Sequence, residues 1–259
     1  MLPLLTPWRK IAAAAAIGTL CLSLRSDVVP SKGPGLSARM MSLPRRTLWA
    51  WERPEDLHSI DPLTTAIASL DQTIVVGKDV VSQPRRQSLS YPSVARRIAV
   101  VRIEIVTGAT LDTAREREIA NLLLQSANQS DIAAFQVDFD ARRSQRGFYG
   151  ALLRDVRRRM PAGLPLSITA LASWCTYDDW IGDLPVDEAV PMFFRMEPDR
   201  RRAFADSPQF RIREPKCMSS AGISTREAWP DDLANKRIYV FADRGWREDF
   251  ALLADRKLP

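Results

Sequence analysis

The chain is short of several things that chemistry often uses. It has one histidine, His58, among 259 residues. A zinc centre built on histidines and a nucleophile activated by a histidine base are therefore nearly excluded, and His58 reads as a surface loop residue. Glycine is sparse, at 11 residues, and none forms a G-x-G-x-x-G, Walker or G-x-S-x-G pattern, so phosphate-cradling loops and the serine nucleophile elbow are missing. Cysteine occurs three times. Near the N-terminus the uncharged run "IAAAAAIGTLCLSL" (11–24), 14 residues long, falls short of the ~20 residues that span a bilayer.

That run has the length of an export-signal core. Arg9 and Lys10 precede it and Arg25 closes it. Residues 1–25 are expected to be a signal peptide or, lacking an obvious cleavage site, an uncleaved anchor; membrane contact is expected only through this segment. Residues 26–45, rich in Pro, Ser and Gly, are expected to be a linker, leaving 46–259 as one domain. A periplasmic or secreted location follows. Of the cysteines outside the run, Cys175 and Cys217 are either two separate thiols or an oxidised pair, and the bridge is the expectation in an exported chain.

Hydrophobic residues make up 46% and charged residues 26%, with a net charge of +6, as in ordinary globular proteins. Arginine runs at 157–159 and 200–202 lack interleaved aromatics. They read as solvated helix backs, and no nucleic-acid partner is expected.

Eight short apolar runs read as strands: 47–51, 73–77, 98–105, 133–140, 166–171, 188–194, 218–223 and 237–242. Helical periodicity marks 113–127, 144–160 and 247–256, and "PLTTAIASL" (62–70) is also expected to be helix. The stretch between 77 and 98 is expected to be mostly loop. Strands that are apolar throughout and alternate with helices point to a parallel sheet. Eight of them point to a (β/α)8 barrel, though about 215 residues is short against the ~250 typical of that fold. An open doubly wound sheet is the alternative, and its usual glycine-rich loop is absent.

One strand carries the chemical hint. In "AFQVDFD" (134–140), Gln136, Asp138 and Asp140 share one face, while Phe135, Val137 and Phe139 share the other. In a barrel, catalytic groups gather where the strands end. That rim collects Trp51 and Glu52, Glu104, Asp138 and Asp140, Trp174, Arg195, Glu227 and Trp246. Aromatic faces beside carboxylates suit sugars, so Asp138 and Asp140 are the candidate catalytic pair and the others candidate substrate contacts. Each tryptophan taken singly is as well explained by core packing. Asp138 is as well explained by a cap on the next helix, and Asp140 by an ion pair with Arg142, Arg143 or Arg195. A divalent ion on the two aspartates is weighed third; no metal or other cofactor is expected.

The segment "FQVDFDARRSQRGFYGALLRDVRRRMPAGLPLSITALASW" resembles the fourth-to-fifth strand region of chitinase-type glycoside hydrolases. It resembles still more closely a bacterial family of unknown function, number 3142. The resemblance covers about a sixth of the chain. It implies a glycosidase-like barrel acting on an envelope or extracellular polysaccharide, with the outer acid protonating the leaving oxygen. In one register Arg142 falls where the chitinase-type enzymes place their catalytic glutamate. In the other, Asp140 takes the glutamate's place, with Asp138 beside it and Gln136 at the first aspartate. The departures leave a second expectation open, a carbohydrate-binding module without catalysis.

Overall fold

The computed structural model describes residues 37–195, 211–230 and 233–254. The expected leader, the first part of the linker and the 200–202 arginine run lie outside them. Among the described residues eleven strands occur: β1 (Arg46–Ala50), β2 (Glu55–Asp56), β3 (Thr65–Val76), β4 (Val80–Pro84), β5 (Leu89–Ser90), β6 (Arg97–Ile105), β7 (Ala134–Asp138), β8 (Leu166–Leu171), β9 (Glu188–Met192), β10 (Ser220–Ser224) and β11 (Arg237–Phe241). β1 pairs in parallel with both β3 and β11. The order β1-β3-β6-β7-β8-β9-β10-β11 thereby closes into an eight-stranded parallel barrel. β4 extends it as an antiparallel flap on Gln72–Val76 of β3, and β2 pairs with β5 in a separate two-stranded sheet.

Among the described residues helices are few, as the chain length implied. α1 (Thr113–Ala127), α2 (Arg146–Arg159) and α5 (Trp246–Ala254) are the longer ones; α3 (Ala172–Thr176) and α4 (Pro215–Met218) are single turns. α1 starts where the Asp112 side chain accepts from the Arg115 N–H, satisfying a donor that the first turn leaves free. It buries Ile119, Ala120 and Leu123. α2 buries Leu152, Leu153 and Val156, and its three closing arginines lie at the negative end of the helix dipole.

The expected helix at 62–70 is instead the first half of β3. Thr65 to Leu70 are buried without interruption, and a run buried on both faces carries no period that separates helix from strand. The expected loop after residue 77 contains the β4 flap. The expected linker also ends early: residues 38–42 form a 3₁₀ turn that shuts the barrel's N-terminal end, burying Met40 and Leu43.

Alternation along the strands sorts the interior. Phe135 and Val137 face α1 and α2, whereas Ala134 belongs to the lumen with Trp49, Ala68, Ile98, Val100, Val190, Tyr239 and Phe241. One layer of the lumen is polar. The Arg237 guanidinium donates to the carbonyls of Met40 (2.5 Å), Leu43 (3.0 Å) and Pro44, pinning the 3₁₀ turn. It also lies 3.4 Å from Glu188, which accepts from the Tyr239 hydroxyl at 2.6 Å. Burial raises the Glu188 carboxyl above its ordinary range, opposed by Arg237 and by the Tyr239 and Ser167 hydroxyls.

Outside the barrel wall, Cys175 on α3 and Cys217 on α4 form a disulfide across 42 residues of sequence. The expected bridge is present.

Replacing Arg237 with Met leaves Glu188 buried without its counter-charge, so a loss of about 3–5 kcal/mol is expected. Glu188 holds its proton more readily folded than unfolded. The loss in thermal stability should therefore shrink towards acid pH, where the carboxyl is neutral. Replacing Cys175 and Cys217 together by Ser is expected to cost about 3–4 kcal/mol in denaturant titration, by loop-closure entropy.

Candidate functional site

The strand parity that puts Ala134 in the lumen also turns Gln136 and Asp138 inward. Gln136 is fully buried, and its amide donates to the Ser167 hydroxyl at 2.9 Å. One layer higher, Asp138 is 2% exposed. Thr169 on β8 donates to one of its oxygens at 2.6 Å, and Arg102 on β6 donates to the other at 2.7 Å. Register sets both contacts: Arg102 is the cross-strand partner of Asp138, and Thr169 lies one residue beyond Ile168, the partner of Val137.

Arg102 is the centre of the mouth. Its Nε donates to Glu104 at 2.8 Å, and its guanidinium carbon lies 6.0 Å from the Trp51 ring centroid, at the limit of a cation–π contact. Burial works against the Arg102 charge, but Asp138 and Glu104 outweigh it and raise the group above its usual value. Trp51 is half-buried and stands against Trp49 and Phe241, at 5.3 and 6.2 Å between centroids. Phe194 joins them 4.6 Å from Phe241. Trp51 and Phe194 thus offer partly open aromatic faces at the same end as Asp138.

Asp140 follows the strand and is exposed. It is nonetheless hemmed by enough protein that desolvation, then the Asp138 charge, raise its carboxyl above the ordinary range; Arg102 pulls the other way. Tyr149 on α2 is wholly buried, its hydroxyl has no hydrogen-bond partner among the described residues, and burial followed by the Asp138 and Asp140 charges pushes its phenol up.

The candidates from sequence therefore divide. Trp51, Glu104, Asp138 and Asp140 gather around Arg102, with Gln136 beneath. Trp174 does not join them: it is 2% exposed and lies edge-on to Trp180 at 4.8 Å. Trp246 is also buried, its indole donating to the Trp49 carbonyl at 2.8 Å. Neither offers a face to a sugar, because aromatic residues at the ends of short strands also plug the layer behind the sheet. Glu52 accepts from the Arg86 and Gln87 amides, both at 2.9 Å, and ties down a loop. Arg195 adopts a positive φ of 55° and donates its N–H to Glu227 at 2.9 Å, linking the chain after β9 to that after β10. Asp138 was weighed as a cap on the next helix; its partner is instead Arg102, 36 residues earlier.

Arg102 and Thr169 escaped the sequence reading. The signal was the parity argument applied to Asp138: Arg102 alternates with Val100, and Thr169 with Ser167, on strands already recognised. Among the described residues no group of three His, Cys, Asp or Glu side chains is placed to hold a metal ion.

Fold and mouth together define a (β/α)8 barrel whose carboxyl rim carries acids beside open aromatics. Residues 94–192, less than half of the chain, match the family described as Domain of unknown function (DUF3142). Among solved structures the chain is similar to the chitinase domain of the spore coat protein CotE from Clostridium difficile, at 14% identity and a TM-score of 0.40, covering 57% of this chain and 49% of that one. It is also similar to the Bacillus cereus spore cortex-lytic enzyme SleL, at 15% identity and a TM-score of 0.44, covering 69% and 51%. The chain thus spans about half the length of either structure. No curated protein matches it in sequence.

Arg102→Met strands the Asp138 carboxylate and is expected to cost about 2–4 kcal/mol in thermal or denaturant unfolding. Asp138→Leu in the same chain should recover part of that loss, giving a coupling of about 1–3 kcal/mol in a double-mutant cycle. Arg102→Lys should not recover it, since an ammonium lacks the fork that reaches Asp138 and Glu104 at once.

Proposed function

We propose that the protein is exported and acts as a glycoside hydrolase on an envelope or extracellular polysaccharide, with Asp140 as proton donor. The observation that carries this reading is the division of labour between two neighbouring acids at the mouth. Asp138 has both oxygens occupied, by Thr169 and Arg102. Asp140 stands exposed with a carboxyl biased towards its protonated form. Two acids set apart by their surroundings are what acid-catalysed cleavage of a glycosidic bond requires.

In this scheme a sugar ring lies against Trp51 and Phe194. Asp140 gives its proton to the leaving oxygen. Asp138 lies beneath the donor, supports Arg102 in its orientation and, with Glu104, faces the positive charge that grows on the ring. An N-acetyl group on the sugar itself serves as nucleophile, as in substrate-assisted glycosidases. Gln136, bonded to Ser167, supports the layer below. The Cys175–Cys217 bridge suits an oxidising compartment and so supports export.

One observation favours a second reading, a carbohydrate-binding module without turnover. The Arg102–Asp138 pair closes off the inner acid, as a structural ion pair does.

Turnover of an amino-sugar polymer by the wild-type chain, and a loss of about 10²–10⁴-fold in Asp140→Asn with polymer binding and Tm retained, is the expected result. Binding without turnover in both proteins gives the site to the module. In Asp138→Asn the charge that raises Asp140 is gone, so the alkaline limb of the residual rate should move to lower pH.

A further inference from the structure

The barrel's opposite end has features that the mouth does not use. Of the large hydrophobic side chains exposed in the described residues, Met41, Leu63 and Val94 are the most open, at 72, 86 and 75%. Leu63 and Val94 line one pocket of about 650 Å³ together with Ser42, the neighbour of Met41. All three precede strands, so they share the end that the 3₁₀ turn shuts. Scattered exposed hydrophobics are ordinary, whereas a convergent group marks a contact surface.

The charges at this end differ in sign from those of the mouth. Two of its carboxylates are paired with arginines, Asp131 with Arg97, and Asp187 with Arg39 and Arg157, while Asp61 keeps its charge and accepts only from the Leu63 amide and the Thr64 hydroxyl, so guanidinium groups outnumber carboxylates at this end. Exposed Arg45 donates only to the Lys236 carbonyl, and neither Arg45 nor exposed Arg96 has a carboxylate partner among the described residues. The result is an apolar tip beside uncompensated guanidinium groups. In sequence, the segment that begins this face at Ser37 follows the uncharged run 11–24 by 12 residues, at most about 45 Å of extended chain.

We infer that the N-terminal end of the barrel is a docking face for an anionic phospholipid bilayer. Met41, Leu63 and Val94 enter the boundary between headgroups and acyl chains, and Arg45 and Arg96 meet the lipid phosphates. Apolar area buried in the interface plus attraction to acidic headgroups is the general basis of such binding. Docked this way, the barrel turns its carboxyl rim away from the lipid.

The test follows amide hydrogen exchange in the full chain, reconstituted in vesicles of phosphatidylcholine with phosphatidylglycerol, in phosphatidylcholine alone, and in detergent micelles. In the anionic vesicles the amides of 38–43, 61–64 and 93–96 should slow about tenfold relative to the neutral ones, with 106–112 at the other end unchanged. Arg45→Gln with Arg96→Gln should remove about fivefold or more of that slowing, and Leu63→Asp with Val94→Asp nearly all of it, at unchanged Tm. Equal exchange in all three environments overturns the proposal, as does slowing spread over the whole domain. Slowing that grows with protein concentration in micelles assigns the face to a second copy and overturns it too. No sugar is present in the measurement, so its outcome is independent of the glycosidase reading.

Discussion

Everything at the mouth depends on β1 having two partners. Five residues long, it bonds β3 on one side and β11 on the other, and with that the parallel sheet has no free edge around the ring. Closure turns strand parity into a statement about inside and outside. A residue two positions from a lumen residue is also in the lumen, and the last such residue on each strand stands at the rim. Arg102, Asp138 and Thr169 meet for that reason alone, although 67 residues separate the first from the last.

The lumen is not uniformly oily, and its polar layers lie towards the two ends. At the N-terminal end Arg237 joins the barrel to the chain that precedes it, and its charge is met by Glu188 and three carbonyls. At the carboxyl end Arg102 holds Asp138 and Glu104. Each arginine offers a planar fork that several acceptors can use at once. Between them Trp49, Val100, Val190 and Phe241 supply apolar packing. Buried ion pairs seldom add net stability over an apolar alternative. What they add here is fixed geometry, at a plug below and at a rim above.

Much of this was legible in the chain itself. All eight barrel strands show as short apolar runs, and parity on one of them placed Gln136 and Asp138 correctly in the lumen. Thr65–Leu70 was misread as helix because burial on both faces erases the period that distinguishes the two structures. Trp174 and Trp246 were misplaced for a different reason. A tryptophan at a strand end serves a rim or a core equally well, and only neighbours distant in sequence, such as Trp180 or the Trp49 carbonyl, decide which. Arg102 was missed because its importance lies in a cross-strand partner, and cross-strand register is a property of the closed sheet.

The β4 flap introduces an interruption in this geometry. It pairs with β3 alone, so its outer flank has no ladder partner among the described strands. Val81 on it is half exposed, while Pro84 ends the strand and Arg85 and Arg86 follow directly. Proline offers no donor to an incoming strand, and cationic neighbours repel a like copy. A closed ring that carries such a flap gains an edge to which another chain can add, and the residues beside it are of the kinds that discourage polymerisation.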